Sequence, residues 1–282
     1  NEGLTVTLTN GGGSDTSMSA LLTGSADIIL AGPETVVYTQ QEGVADKPVV
    51  FGQLTTCDGS FIVSKEDDQN FTLADLVGET IIGGRQGGLP AMTLQYIIEN
   101  SGYTIGTGAD EINLRTDVAF NLTASVWEGD STVKYCTLFE PTATNIEKEG
   151  KGFVVASLGE ISGSIPYTCF AAKESYLEDH SDVAEKFLRA VAKGYDYIIS
   201  NDSETVAKAL LPSFEGNTIA ELQVAVEQYT LISAWSSDMI LTEASFNNLM
   251  NVMLNAGVIT ETSNWEDIVD NTLATKVHKE VA

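Results

Sequence analysis

The sequence predicts an α/β fold with mainly parallel sheets, followed by an all-helical tail. Three observations carry that prediction. Between residues 4 and 172, short apolar or β-branched runs alternate with runs spaced as amphipathic helices. The connections are short and punctuated by glycine or proline. From Ser181 onward only helical spacing remains, with Val183, Phe187, Val191, Tyr195 and Ile198 on one stripe.

Each element has a local reason. Residues 4–9 (Leu-Thr-Val-Thr-Leu-Thr) alternate as a strand does, and Gly11, Gly12 and Gly13 form a turn. Ser14 or Asp15 then suits the N-cap of a helix carrying Met18, Leu21 and Leu22, which stops at Gly24. Residues 26–31 are a short buried strand; Gly32-Pro33-Glu34 follows, then a helix with Val36, Val37 and Tyr38. Residues 48–54 and 60–64 are strands on either side of Cys57-Asp58-Gly59. Thr72 and Asp75 have capping-box spacing for a short helix that ends at Gly78. The Ile81-Ile82 strand runs into Arg85-Gln86-Gly87-Gly88-Leu89-Pro90 and a helix through Asn100, closed by Gly102. A strand at 111–114, a helix over 117–128 and a strand at 133–139 come next, and Pro141 opens a helix through Ile146. Residues 153–158 and 167–172 are the last strands, and further helices open near Thr218 and Thr242.

Composition narrows the function. A chain of 282 residues that is 43% hydrophobic is long enough to bury a sizeable core in one or two domains. Its formal charge of −26 repels phosphate backbones and anionic lipid, which argues against nucleic-acid and membrane-surface roles. No apolar run approaches the roughly 20 residues that span a bilayer. Cys57, Cys136 and Cys169 lack metal or redox spacing, and His180 and His278 sit in polar, helix-flanking positions suited to solvated imidazoles. With no nucleophile elbow, zincin motif or P-loop, the chain is poor in catalytic equipment. No cofactor and no metal are implied.

Ligand-binding capacity is better supported. Four loops, at residues 11–15, 32–35, 85–90 and 140–142, each follow a predicted strand and open a helix. Free N–H groups and the positive dipole end gather there, and glycine lets a ligand approach the main chain. If the four face one crevice, they form a cleft beyond the strand ends. The candidate ligand-binding residues are Gly12, Gly13, Ser14, Gly32, Pro33, Glu34, Thr35, Asp58, Arg85, Gln86, Gly87, Gly88, Glu140, Tyr167 and Thr168. Arg85 suits an acidic ligand group, because guanidinium offers a bidentate fork. Glu34, Asp58 and Glu140 suit a donor such as an amine or aminopyrimidine, or else they compensate helix dipoles and turns. Tyr38, Tyr167 and Phe170 either stack on a ring or belong to the core. A zwitterion or polar heteroaromatic fits this mixture best.

Several segments carry a family resemblance. Leu21-Leu22-Thr23-Gly24-Ser25-Ala26-Asp27-Ile28 resembles the L-x-x-G-x-x-D signature of periplasmic-binding-like solute receptors. The order that follows resembles the nitrate, sulfonate, taurine and thiamine-precursor receptors of ABC importers. Residues 72–81 are similar to their step into the second lobe, Phe139-Glu140-Pro141 to their strand-to-helix site, and Ser164-Ile165-Pro166-Tyr167-Thr168 to their return crossing. The resemblance implies a two-lobed periplasmic-binding-protein-like fold of type 2, with two hinge crossings and a C-terminal helical tail. Lobe one is then expected at 1–59 plus 167–282, and lobe two at 60–166. It further implies a monomeric, non-enzymatic, extracytoplasmic receptor, in the periplasm or lipid-anchored at the cell surface, with a small-molecule ligand and a membrane permease as partners. Cys57 and Cys169 would approach each other on the crossings, where two unpaired thiols are expected because disulfide geometry is exacting. The family opens with a strand, a ligand-contacting loop and a helix ahead of the part matching Gly3-Leu4-Thr5-Val6, so a partial site is expected here. A thiamine-pyrimidine synthase-like enzyme and a ligand-sensing receptor domain are the alternatives. Neither histidine lies on a cleft loop and no cysteine cluster is present, which argues against the enzyme.

Overall fold

In a computed structural model that describes residues 2–281, strands and helices alternate as the sequence predicts up to residue 173. The strands are β1 (Ile29–Ala31), β2 (Pro48–Thr55), β3 (Ser60–Ser64), β4 (Thr80–Ile82), β5 (Asn113–Arg115), β6 (Tyr135–Phe139), β7 (Phe153–Ser157) and β8 (Thr168–Lys173). The helices among and just after them are α1 (Ser14–Leu22), α2 (Glu34–Gln41), α3 (Leu89–Asn100), α4 (Thr123–Gly129), α5 (Thr142–Lys148), α6 (Leu158–Ser162) and α7 (Glu174–Asp179). A helical tail follows: α8 (Ser181–Ser200), α9 (Ser203–Leu210), α10 (Ile219–Leu231), α11 (Glu243–Asn255), α12 (Trp265–Ile268) and α13 (Thr272–Val281).

Two sheets divide the strands. The first has the order β1-β8-β2, the second β5-β4-β6-β3-β7. The expectation of mainly parallel sheets needs correction, because every pairing in the first sheet is antiparallel and the second is mixed. The reason is an inserted strand in each. β8 lies antiparallel between β1 and β2, which are therefore parallel to one another. Likewise β3 lies antiparallel between β6 and β7, while β4 is parallel to both β5 and β6. Each inserted strand is the first strand reached after a crossing between the sheets, at residues 56–59 for β3 and 158–167 for β8.

Apolar burial on both faces of both sheets holds the molecule together. On one face of the first sheet Val50, Cys169 and Ala171 pack with α1, α2 and α11; on the other, Phe51 and Phe170 pack with Leu188 of α8 and Val277 of α13. The second sheet buries Phe61, Val63 and Cys136 against Trp127 on one side, and Ile62, Ile81 and Tyr135 against α3 on the other. Leu89 and Met92, from the start of α3, join the core of the first sheet, so the two halves meet in a packed seam. The tail is not confined to the first sheet either: Tyr229 of α10 packs on Phe61, with ring centroids 6.3 Å apart.

Two further expectations are corrected. Residues 4–9 form no strand; alternation favours an extended backbone, but a strand also needs a hydrogen-bonded neighbour, and none of the described strands pairs with them. Val6 and Leu8 are consequently 63% and 90% exposed. The segment 117–128 divides into a 3₁₀ turn (Phe120–Leu122) and the short α4. Elsewhere the local signals hold. Thr72 and Thr218 both form reciprocal capping boxes, Thr242 caps α11, and Gly102 takes a left-handed φ of 86°.

Candidate functional site

Three of the four helix-opening loops meet at the seam, and the fourth lies beside it. Ser14, the first residue of α1, accepts a hydrogen bond at Oγ from Gly32 N (3.0 Å), tying the first loop to the second. Asp15 faces Arg85 at 3.8 Å, tying the first to the third. Tyr38 of α2 donates its hydroxyl to Gly87 O at 3.0 Å, tying the second helix to the third loop. The fourth loop shares a cavity of about 240 Å³ with the second sheet: Gly83, Gly84, Pro90, Phe120, Phe139, Glu140 and Thr142 are among its walls.

Glycine is required where these loops crowd. A Cβ on Gly32 would fall 2.0 Å from Glu34 Oε2, so only glycine leaves room for that carboxylate. Gly87 has φ 72°, the left-handed region, as its turn brings Gly88 N to Arg85 O at 3.0 Å. Gly12 has φ 76°, and Gly13 occupies the N-cap of α1 without a side chain to satisfy its amides.

The acids behave differently from one another. Glu140 is satisfied: its carboxylate accepts Thr144 N (3.1 Å) and Thr144 Oγ1 (2.9 Å), compensating the start of α5, while its own amide donates to Tyr229 Oη (3.0 Å). Burial nonetheless raises its pKa. Glu34 is 1% exposed, and its Oε2 has no hydrogen-bond partner. Burial pushes its pKa up to about 7, opposed by the amides of Glu34 and Leu89 and by Arg85. Asp58 is fully buried on the first crossing; its Oδ1 accepts Ser60 N (2.7 Å) and Ser60 Oγ (2.6 Å). Desolvation raises it to about 6 despite those bonds. Tyr167, on the second crossing, lies near enough to Asp58 to influence it, yet neither Tyr167 Oη nor Asp58 Oδ2 reaches hydrogen-bond geometry with a protein group. Burial, then Asp58, then Glu34 hold the Tyr167 hydroxyl well above its usual pKa.

Most of the other predicted residues serve structure. Thr35 donates to Gly32 O (2.8 Å) and Pro33 is the N-cap of α2. Gln86 N bonds Thr116 O (2.8 Å), and Thr168 N bonds Thr55 Oγ1 (2.8 Å) within the first sheet. Arg85 stays at the rim, its side chain 36% exposed and already facing Asp15. Phe170 is core: alternation along β8 turns it away from the seam, toward Phe187 at a 5.0 Å centroid distance. All three cysteines are free and buried. Phe120 and Tyr229 were not legible as site residues. Phe120 and Phe139 meet at 5.3 Å and Phe139 and Tyr167 at 6.0 Å, both tilted, so aromatic contacts run from the cavity to the crossings. Phe139 had a signal, since it ends a strand at Glu140-Pro141; Tyr229, nearly 90 residues on, had none.

Among the described residues no His/Cys/Asp/Glu group is arranged to hold a metal ion, and no helix is long and apolar enough to cross a membrane. What the seam offers is acceptors, a rim guanidinium, aromatic faces and backbone held by glycines, a set suited to holding a small molecule.

Comparison with known proteins agrees with that architecture. The family described as NMT1/THI5 like matches residues 1–205. The protein YtlA of Bacillus subtilis (strain 168) is 34% identical over 279 residues, covering 99% of this chain and 82% of that protein. Two solved structures share the fold. The ligand-binding component of an ABC-type import system from Staphylococcus aureus, with zinc bound, aligns with a TM-score of 0.70 at 14% identity, over 92% of this chain and 84% of that one. The periplasmic aliphatic sulphonate binding protein SsuA from Escherichia coli aligns with a TM-score of 0.70 at 15% identity, over 93% and 86%. With a family match across most of its length and a close-length relative at 34% identity, this two-lobed chain belongs to the NMT1/THI5-like family.

Proposed function

We propose that this protein captures a small polar, zwitterionic or heteroaromatic solute in the seam between its lobes and delivers it unchanged to an ABC-type import permease. The carrying observation is the meeting of loops from both sheets beside buried Glu34, whose Oε2 the protein leaves without a hydrogen-bond partner, with Asp58 Oδ2 and the Tyr167 hydroxyl facing one another on the crossings. Buried polar groups are ordinarily satisfied, so such a cluster at an inter-lobe seam suits a ligand. The reading assigns residues 1–59 and 167–282 to one lobe and 60–166 to the other, with α10 reaching across. It places the receptor outside the cytoplasm, as a monomer, without catalysis. Family membership and the shared fold of an import-system component support it.

Thermal unfolding against taurine, amino acids, alkanesulfonates and aminopyrimidines tests the idea. One class raises the melting temperature, as selective binding to the native state requires, and mass spectrometry recovers that compound intact. Conversion of the stabilising compound by a clean preparation refutes the non-enzymatic reading.

A further inference from the structure

We infer that the seam selects a cation, a protonated amine or amidinium on a flat apolar body, held by Glu34 and Asp58. This rests on the solute-capture reading and narrows it to one ligand chemistry. Glu34 and Asp58 are at most 1% exposed; Glu34 Oε2 has no hydrogen-bond partner, and Asp58 Oδ2 has only the Tyr167 hydroxyl beside it, short of hydrogen-bond geometry. A buried carboxylate oxygen without a donor is costly, and an N–H cation is the partner that removes the cost by both charge and hydrogen bond.

The surrounding charges point the same way. Around Glu34 stand Arg85 and Asp15 from the neighbouring loops, with Tyr38, Tyr167 and Cys169. Around Asp58 stand Cys57, Ser60, Tyr167 and Tyr229. Arg85 is the one cation among these groups, and Asp15 already faces it. Glu140 adds a third acid at the adjoining cavity. A ligand with only negative charge would enter a region of like charge, whereas a zwitterion is acceptable through its positive end. Burial raises both carboxyl groups, and an arriving cation favours their ionised forms.

The flat body follows from the rings. Phe120 and Phe139 line the cavity, and Phe139 meets Tyr167, which borders Asp58, in a tilted contact. Neither Glu34 nor Asp58 lines the cavity; Phe139, which does, lies 6.0 Å from the Tyr167 ring beside Asp58. Aromatic rings placed this way attract a cation and its ring together.

Titration calorimetry at neutral pH with benzamidinium, benzoate and benzenesulfonate compares one ring carrying three head groups. Benzamidinium is expected to bind and the two anions are not. Glu34→Gln and Asp58→Asn keep the side-chain shape and should each weaken benzamidinium by about tenfold or more. If Asp58→Asn fails to fold through loss of the Ser60 contacts, Glu34→Gln alone carries the test. Binding of an anion without benzamidinium overturns the cation assignment and leaves solute capture standing. Benzamidinium binding that both variants preserve overturns it too, as does no binding by any of the three probes. Solute capture itself fails only if the wider solute panel gives no ligand.

Discussion

Glu34 is the residue through which sequence, structure and function connect most directly. Gly32, two residues before it, alone makes room for its carboxylate, and Glu34 opens α2, which packs on the first sheet. Its pKa is raised to about 7, so near pH 6 it binds more protons in the folded than in the unfolded state. Folding stability from this group is therefore full below its unfolded pKa, falls as pH rises toward 7, and is level above that. A shift of this size is worth roughly 3 kcal/mol. Glu34→Gln removes the titration, so the variant's stability relative to the parent should climb by about 2–3 kcal/mol between pH 4 and pH 8 in urea unfolding. A constant difference across that range would show that Glu34 ionises normally. Asp58 acts in the same sense, from about 6. Sequence alone left these acids balanced between ligand contact and dipole compensation; Glu140 proved to compensate a helix start, while Glu34 and Asp58 kept bare oxygens. Only burial separates those cases, and burial depends on parts of the chain that are remote in sequence.

Elements were legible where the deciding interaction is local. Thr218 illustrates it: the side chain accepts Glu221 N, and Glu221 Oε2 returns to Thr218 N at 2.7 Å. Thr218→Ala removes the hydroxyl that accepts Glu221 N, leaves the main-chain half of the box in place, and should cost about 1 kcal/mol, read as a lower urea midpoint with unchanged slope. An unaltered midpoint would mean that α10 is held by packing alone. Strand partners are a different matter. The alternation at residues 4–9 sets a conformation without supplying a neighbour, and the apolar runs of β3 and β8 carry no mark of direction. Both are buried on two faces, as central strands of either polarity are, so a parallel sheet was read where an antiparallel strand had been inserted.

At the scale of the molecule, the two lobes are joined by crossings that carry Asp58 and Tyr167, and the seam is latched by Tyr38–Gly87 and Asp15–Arg85. Ligand drives closure only by its preference for the closed form, so a saturating ligand should lower the radius of gyration in small-angle scattering. Tyr38→Phe deletes one latch of about 1 kcal/mol and should weaken apparent affinity roughly fivefold while leaving the fold intact. Identical scattering with and without bound ligand would argue for a rigid receptor. The inserted strands also order assembly on the ribosome. Every strand of the second sheet lies within residues 60–157, so that sheet has all its strands once residue 157 has emerged. The first sheet cannot close until β8 arrives at 168–173, because β1 and β2 have no ladder with each other and β8 is the strand that joins them. The half of the protein that is translated first is thus the half that must wait, its strand edges open while more than a hundred residues follow β2 out of the exit tunnel.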